Sequence, residues 1–322
     1  MKQRSIKQEK DNFKPKFFAS SSKPKNMESR KSDLWIQLIW IIPGLFFILL
    51  FSYYAIYIIF AQGFNANGAL EGFILSIKNF QNVLYKSNEF PIALRNTLIY
   101  SVVAIPISLL IALITAKALS NILNRRIFSF LQSAFFLPYV TSSLAVAMAF
   151  SMIFSNNGTS LLNQFFRWIG TGSIDWAKPS NAIIVLIIYG VWGMLPFKII
   201  LFTAAFMKID KRLYQAASID GTPQWLQFWK ISIPQIMLVI IYTITTGIIG
   251  GFKFMPFGLY PSYQSAVASQ AQTAVYYIFN KTSQSAGAAG EAGAASIILM
   301  SIILVMTIFN RYLTKYLNKK FR

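Results

Sequence analysis

The sequence predicts an all-α polytopic membrane protein with six transmembrane helices and both termini in the cytoplasm. Hydrophobic residues make up 55% of the 322 residues, and charged residues make up only 12%, about half the charged share of a typical globular protein. Six stretches are apolar for about 20 residues or more, which is the length that a helix needs to cross the hydrocarbon core. None of the ten acidic residues lies inside these stretches.

The six predicted spans follow one another with polar connections between them. Their approximate limits are 34–61, 97–118, 128–154, 181–206, 233–252 and 294–313. The first span is too long for the apolar core of a cleaved signal peptide, and a polar segment of 33 residues precedes it. We therefore expect a retained helix there.

Basic residues predict the orientation of the spans. The loops on one side, together with both termini, hold 22 Lys and Arg residues, and the loops on the other side hold seven. Cytoplasmic loops carry the excess of Lys and Arg in membrane proteins. We therefore expect basic cytoplasmic segments at 1–33 and 314–322, on either side of a transmembrane domain at 34–313. The net charge of +20 follows from this topology and does not indicate nucleic-acid binding.

The composition excludes several classes of function. The chain has no Cys and no His, which excludes thiolate chemistry, imidazole bases and the usual zinc sites. We predict no catalytic and no metal-binding residues. An ion channel or a secondary carrier stays only a distant alternative, because it would need a selectivity filter or carboxylates within the bilayer, and the spans offer neither. A phosphate-binding G-x-x-x-x-G-K-[ST] loop is also absent. If the protein transports a solute against a gradient, another subunit must supply the energy.

The segment 207–236, between the fourth and fifth spans, carries the most informative pattern. Its sequence is MKIDKRLYQAASIDGTPQWLQFWKISIPQI. Leu213, Ala216 and Ala217 are spaced so that they share one face of a short helix. Small side chains on that face permit close approach of a partner.

A sharp turn should follow this short helix. Gly221 is expected to end the helix in the left-handed conformation that glycine adopts without strain. Asp220 is expected to hydrogen-bond to nearby backbone and to hold the turn. Thr222 is a candidate cap of the next helix, and Pro223 suits its first turn. The sequence therefore predicts two short helices joined by a tight turn on the cytoplasmic side.

This segment resembles the EAA loop of binding-protein-dependent ABC importer permeases. The family pattern is E-A-A-x-x-D-G-A followed by F-x-x-I-x-x-P. Gln215 stands in place of the Glu, and Thr222 stands in place of the Ala that follows Gly. The matching residues are Ala216, Ala217, Asp220, Gly221, Phe228, Ile231 and Pro234.

Further matches are similar to the carbohydrate branch of that family, which includes maltodextrin, multiple-sugar and glycerol-phosphate permeases. They are A-L-R-N-T-L at 93–98, S-N-N-G-T-S-L-L-N at 155–163, W-G-M-L-P-F at 192–197 and G-A-A-S at 293–296. The chain departs from the family in one place, because the external G-G-P segment after the fifth span is absent and 252–263 stands there instead.

The resemblance implies a type I ABC importer-like fold in a bacterial cytoplasmic membrane. It implies four kinds of partner: a second permease subunit, two ATPase subunits that bind ATP and Mg, an extracellular or periplasmic solute-binding protein, and membrane lipid. This chain would hold no cofactor. The solute would be a sugar or an oligosaccharide, with glycerol phosphate or another anionic solute as the alternative. The residues implied in coupling to the ATPase are Tyr214, Gln215, Ala216, Ala217, Asp220, Gly221 and Pro234.

The residues of the solute pathway are harder to identify. Sugars bind through hydroxyl hydrogen bonds and aromatic stacking, so aromatic and hydroxyl side chains on the fourth and fifth spans are candidates. Helix packing and interfacial anchoring explain the same residue types equally well. Lys198, well inside the fourth span, is expected to extend to the cytoplasmic surface or to meet an anionic solute. The candidates are Tyr189, Trp192, Tyr242, Thr243, Thr246 and Phe252.

Overall fold

A computed structural model describes residues 27–66, 72–156, 160–284 and 288–321. Throughout these residues the regular structure is helical, and extended pairing is confined to two isolated bridges. The first seven helices are α1 Met27–Phe47, α2 Tyr54–Gly63, α3 Lys78–Gln81, α4 Glu89–Ser120, α5 Arg125–Val140, α6 Ser143–Ile153 and α7 Leu161–Trp168. The others are α8 Pro179–Met207, α9 Lys211–Ile219, α10 Gln224–Gln227, α11 Ile233–Gln235, α12 Met237–Phe252, α13 Tyr263–Ala268, α14 Ala274–Gln284 and α15 Ala289–Phe321. Short π-helical stretches occupy Ile48–Tyr53, Asn82–Lys86 and Phe228–Ser232.

The chain divides into two compact units, Met1–Ile56 and Tyr57–Arg322. The described part of the first unit is helical, and its side chains from Trp35 onward are exposed. Most of the predicted polar segment 1–33 lies outside the described residues. Its last seven residues belong to α1, so the helix begins before the apolar stretch does.

Within the described residues, four helices are long and apolar enough to cross a membrane, and two bent helix pairs raise the number to six if each pair is one span. The continuous candidates are Trp35–Gly63, Glu89–Ser120, Pro179–Met207 and Ala289–Tyr312. The bent pairs are Arg125–Val140 with Ser143–Ile153, and Gln224–Gln235 with Met237–Phe252. All six predicted spans correspond to helical segments. The helix α4 begins at Glu89, before the predicted second span, and α15 continues to Phe321, beyond the predicted sixth span.

The third predicted span is not one straight helix. Its two halves, α5 and α6, meet at an angle of 94°. Pro138 lies three residues before the break and has no N–H to donate to the preceding turn. Thr141 then adopts an extended backbone with ψ of 151°, and its hydroxyl donates to the Pro138 carbonyl at 2.9 Å. Hydropathy alone gave no sign of this bend, because both halves are apolar.

The loops on the side opposite to 207–236 also contain structure. The short helices α3, α7, α13 and α14 lie in these loops. In the last of these loops α14 continues to Gln284 and α15 begins at Ala289. The residues 285–287 between them lie outside the described part of the chain.

The central contact of the second unit is the packing of α4 against α8, the most extensive between described helices. Gly190 of α8 faces the ring of Tyr100, which is fully buried. The Tyr100 ring also stacks on Phe254, with 4.2 Å between the ring centroids. A side chain at position 190 would overlap the Tyr100 ring, so glycine permits this close approach.

A second apolar cluster lies at the end of the bundle that carries 207–236. It brings together the last turns of α4 and α8 with the first turns of α12. Its fully or nearly buried members are Ala112, Leu113, Ala116, Leu119, Ile199, Phe202, Phe206, Ile209, Ile236 and Ile240. The loop 207–236 therefore emerges from a fixed, well-packed base.

We predict that Gly190→Ala destabilises the isolated subunit, whereas Gly193→Ala does not. The added Cβ at 190 meets the buried Tyr100 ring, while nothing lies within 4 Å of a Cβ at 193. Overpacking of this kind costs about 1–3 kcal/mol. Thermal unfolding of the detergent-purified variants measures the difference. Equal melting temperatures for the two variants would show that the α4–α8 contact is looser than described.

Candidate coupling loop and solute pathway

The segment 207–236 forms the predicted pair of short helices, and we call it the coupling loop. Asp210 caps α9, since its side chain accepts a hydrogen bond from the Arg212 backbone N–H at 2.9 Å. After the turn, α10 begins at Gln224 and a π-helical stretch leads to α11 and α12. Pro234 lies in α11, just before the 71° bend into α12.

The turn after α9 confirms the role expected of Gly221. Its φ is +72°, in the left-handed region where residues with a Cβ are strained. The Gly221 N–H donates to the Ser218 carbonyl at 3.2 Å, and the Thr222 N–H donates to the Ala217 carbonyl at 2.9 Å. These two bonds are the Schellman pattern, which satisfies the last carbonyls of a helix.

The side chain that holds the turn is Gln227, not Asp220. Gln227 is buried, and its Nε2 donates to the Thr222 carbonyl at 2.8 Å and to the Ser218 Oγ at 3.2 Å. Within the described residues the Asp220 carboxylate makes no hydrogen bond and is exposed. The expectation for Asp220 was therefore wrong. Thr222 does not cap α10, because Pro223 stands at the N-cap of that helix. Thr222 takes part in the turn through its backbone instead.

The outer face of α9 is exposed and partly apolar. Gln215 and Ala216 are exposed, and Ala217 is half-buried. Leu213 is 41% exposed, and Ile219 is 87% exposed. Leu213, Ala216 and Ile219 are three residues apart and lie along one side of the helix. An exposed apolar strip on a short helix outside the candidate spans is typical of a surface that a partner covers.

Tyr214 points the other way, into the bundle. Its hydroxyl lies 2.7 Å from the Ser232 Oγ. The Lys117 Nζ, at the end of α4, lies 4.6 Å from the centroid of the Tyr214 ring. Sequence reasoning grouped Tyr214 with the residues that meet the ATPase, whereas the structure directs its side chain toward the span helices.

The six candidate pathway residues divide into three groups by exposure. Tyr242 is 51% exposed, and Thr246 is exposed on the same side of α12 one turn later. Trp192 is half-buried, 5.4 Å from the Phe150 ring centroid. The remaining three face the interior of the subunit: Tyr189 at 9%, Thr243 at 1% and Phe252 at 1% exposure. Contact between any of these six residues and the solute stays a prediction.

Lys198 neither reaches the membrane surface nor opens to an exposed face. It is 4% exposed, and its Nζ donates to the Ser108 Oγ of α4 at 2.5 Å. The Met194 Sδ lies 3.8 Å from the same Nζ. The expectation that Lys198 extends to the cytoplasmic surface was wrong, because its side chain joins α8 to α4 instead.

Two buried asparagines order the loops at the opposite end of the bundle. Asn96 donates to the carbonyls of Gln270 and Gln272 at 2.6 and 3.0 Å. Asn163 binds both the N–H and the carbonyl of Ile174 and accepts from the Trp176 indole N–H. The sequence motifs singled out both residues, and the structure shows that their amides clamp loop backbone.

The segment 253–273, which includes most of the stretch 252–263 that stands where the family has G-G-P, is tied to the start of α4. Tyr263 of α13 donates to the Glu89 carboxylate at 3.2 Å. Burial raises the pKa of the Tyr263 hydroxyl, and the Glu89 carboxylate raises it further. The hydroxyl therefore stays protonated at neutral pH and remains a donor to Glu89.

A cleft of about 640 Å³ opens beside this segment. It lies between α6, α13 and α14, at the end of α12 that is remote from the coupling loop. Its walls combine aromatic rings with polar side chains, as carbohydrate sites do. The residues with those side chains are Ser151, Phe257, Tyr260, Ser262, Tyr263, Gln264, Tyr276, Phe279, Asn280 and Ser283. Sequence reasoning missed the cleft, because its residues come from separated segments.

Comparison with known proteins agrees with this geometry. A family described as "Binding-protein-dependent transport system inner membrane component" matches residues 104–322. A probable ABC transporter permease protein of Mycoplasma genitalium is 32% identical over 77% of this chain and 76% of the relative. An arabinooligosaccharides transport system permease protein of Halalkalibacterium halodurans is 29% identical over 73% of this chain and 74% of the relative.

A solved structure shares the fold. It is a bacterial alginate ABC transporter in complex with an alginate pentasaccharide-bound periplasmic protein. The matched chain has a TM-score of 0.75 and 21% identity, covering 92% of the present chain and 99% of that chain. The resemblance found in the coupling loop is confirmed by the family match over residues 104–322. This protein belongs to the family of binding-protein-dependent transport system inner membrane components, as a multi-pass permease subunit.

Proposed function

We propose that this chain forms half of the membrane pathway of an ATP-driven importer, and that its coupling loop docks on an ATPase subunit. In this proposal a sister permease supplies the other half of the pathway. Two ATPase subunits bind ATP and Mg beneath the loops, and a solute-binding protein delivers a carbohydrate from outside.

The exposed strip on α9 carries the proposal. Leu213, Ala216 and Ile219 present apolar surface outside the candidate spans, where the bundle does not cover it. The Gly221 turn and the Gln227 amide fix this helix in one orientation. A rigid helix with an uncovered apolar face fits a groove on a partner. The excess of Lys and Arg on the same side of the chain supports a cytoplasmic partner.

A carbohydrate is the solute that the site supports best. Tyr242 and Thr246 on α12 and the aromatic cleft beside 253–273 offer rings and hydroxyl or amide groups, which are the groups that bind sugars. A relative carries the name of an arabinooligosaccharide permease. An anionic solute remains the alternative, although the buried Lys198 gives it no support, because its ammonium group faces Ser108.

We predict that Gly221→Val lowers association with the ATPase about tenfold while the subunit still inserts in the membrane. A β-branched residue at φ of +72° costs about 1–2 kcal/mol or more, and the loop would leave its docking conformation to relieve that strain. Co-purification of the ATPase from a complemented strain measures the loss, with the membrane level of the variant as a control.

Gly172→Val is the matched control. Gly172 has a φ of +82°, and nothing lies within 4 Å of a Cβ there, as at Gly221. It lies in a loop at the other end of the bundle. Equal loss of association in both variants would mean that general strain, and not the coupling loop, explains the effect.

We predict that the reconstituted importer hydrolyses ATP in response to a neutral oligosaccharide and that the purified chain alone hydrolyses none. Proteoliposomes would contain this chain, its sister permease, the ATPase and the cognate binding protein. Hydrolysis and uptake are measured with neutral oligosaccharides, acidic oligosaccharides and glycerol phosphate. Stimulation by glycerol phosphate alone would contradict the carbohydrate assignment, and hydrolysis by the chain alone would contradict the division of labour.

A further inference from the structure

Tyr214 is the residue of α9 whose side chain joins this helix to the end of α4 and to the segment that leads into α12. One contact is with Ser232, which is fully buried in the π-helical stretch that leads into α12. The hydroxyl of Tyr214 lies 2.7 Å from the Ser232 Oγ. This distance is that of a good O–H···O hydrogen bond. The contact therefore ties the middle of α9 to the start of the fifth span.

The second contact is with Lys117 in the last turn of α4. Its Nζ lies 4.6 Å from the centroid of the Tyr214 ring and 3.4 Å from the Tyr214 hydroxyl. The same Nζ lies 5.5 Å from the centroid of the Phe206 ring at the end of α8. A cation over an aromatic face is attracted by the ring quadrupole. The ammonium group of Lys117, which belongs to α4, therefore contacts aromatic side chains of both α8 and α9.

The ring of Tyr214 also packs against the apolar cluster at this end of the bundle. Phe228 of the coupling loop belongs to the same set of packed side chains, 6.2 Å from Phe206 between ring centroids. The neighbours of Tyr214 on α9 differ from it, since Gln215 and Ala216 are exposed. One face of α9 is therefore free for a partner while Tyr214 fixes the other face to the bundle.

We propose that Tyr214 is a positioning residue that transmits movement of α9 to α4 and α12. The proposal rests on the proposed function, in which α9 docks on the ATPase. A displacement of α9 must move or break the contacts of Tyr214 with Lys117 and Ser232. Lys117 stands in the last turn of α4, which runs through the bundle, and Ser232 stands just before α11 and the 71° bend into α12. Without Tyr214 the loop still docks, but its movement reaches the spans less completely.

The variants separate docking from transmission. Tyr214→Leu removes the ring and the hydroxyl, Tyr214→Phe removes only the hydroxyl, and Ser232→Ala removes its partner. Lys117→Met removes the charge, and Lys117→Arg keeps it. Tyr312→Leu is the control, because Tyr312 is a tyrosine that is 71% exposed on α15.

Each variant is assembled into the complete importer, and three quantities are measured: ATPase co-purification, ATP hydrolysis, and solute uptake per ATP hydrolysed.

We expect Tyr214→Leu and Lys117→Met to keep ATPase co-purification at the wild-type level. Uptake per ATP hydrolysed should fall at least about fivefold, the lower end of typical coupling between sites. Lys117→Arg and the control should stay near wild type. Tyr214→Phe should cause a smaller loss, and combining it with Ser232→Ala should add nothing, because both remove one hydrogen bond.

Two results would overturn the positioning role. If co-purification falls in step with uptake in Tyr214→Leu, Tyr214 supports docking or loop folding and does not transmit movement. If all three quantities stay at the wild-type level, the contacts carry no coupling. Failure of the wild-type chain to co-purify with any ATPase is a different result, since it contradicts the proposed function itself.

Discussion

The close approach of α4 and α8 is the contact on which the rest of the second unit depends. It requires Gly190, because the fully buried ring of Tyr100 occupies the space where another side chain would stand. Lys198 reinforces the same pair of helices from α8 to Ser108. With α4 and α8 fixed, their last turns and the first turns of α12 form one apolar cluster. The coupling loop leaves the bundle from this cluster, so the contact between α4 and α8 also restricts the position of the loop.

The coupling loop combines a rigid turn with an uncovered surface. The carbonyls at the end of α9 are satisfied by the Gly221 and Thr222 N–H groups, and Gln227 bridges the two arms of the turn. The backbone and one face of α9 are therefore fully engaged within the chain. The other face, with Ile219 87% exposed, has apolar atoms and no cover. Such an arrangement suits a helix that carries force from a partner, because little of the movement is lost in local rearrangement.

Apolar length predicted the existence of all six helical segments, because crossing the hydrocarbon core sets that length. It did not predict the bend at Thr141, since the residues next to the break are apolar on both sides. The left-handed conformation of Gly221 was predictable from its position directly after a short predicted helix. The role of Gln227 was not, because its partners, Ser218 and Thr222, are defined only by the folded turn.

Exposure of the pathway candidates was the least predictable feature. A helix that is apolar all round, such as α12, has no polar face by which sequence could orient it. Thr243 and Thr246 are three residues apart and chemically alike, yet one is buried and the other is exposed. The aromatic cleft brings α6 together with α13 and α14, which lie far later in the sequence. Only tertiary packing decides these outcomes.

Site-directed cross-linking of α9 tests the central claim most directly. The chain has no cysteine, so Ile219→Cys introduces a single thiol, and Tyr85→Cys, at a residue that is 84% exposed in a loop at the other end of the bundle, serves as its counterpart. In the assembled importer, a short bifunctional reagent should link Ile219→Cys to the ATPase subunit and should leave Tyr85→Cys unlinked to it. A thiol at 219 that never links to the ATPase, but reacts with a membrane-impermeant reagent from outside the cell, would contradict the account.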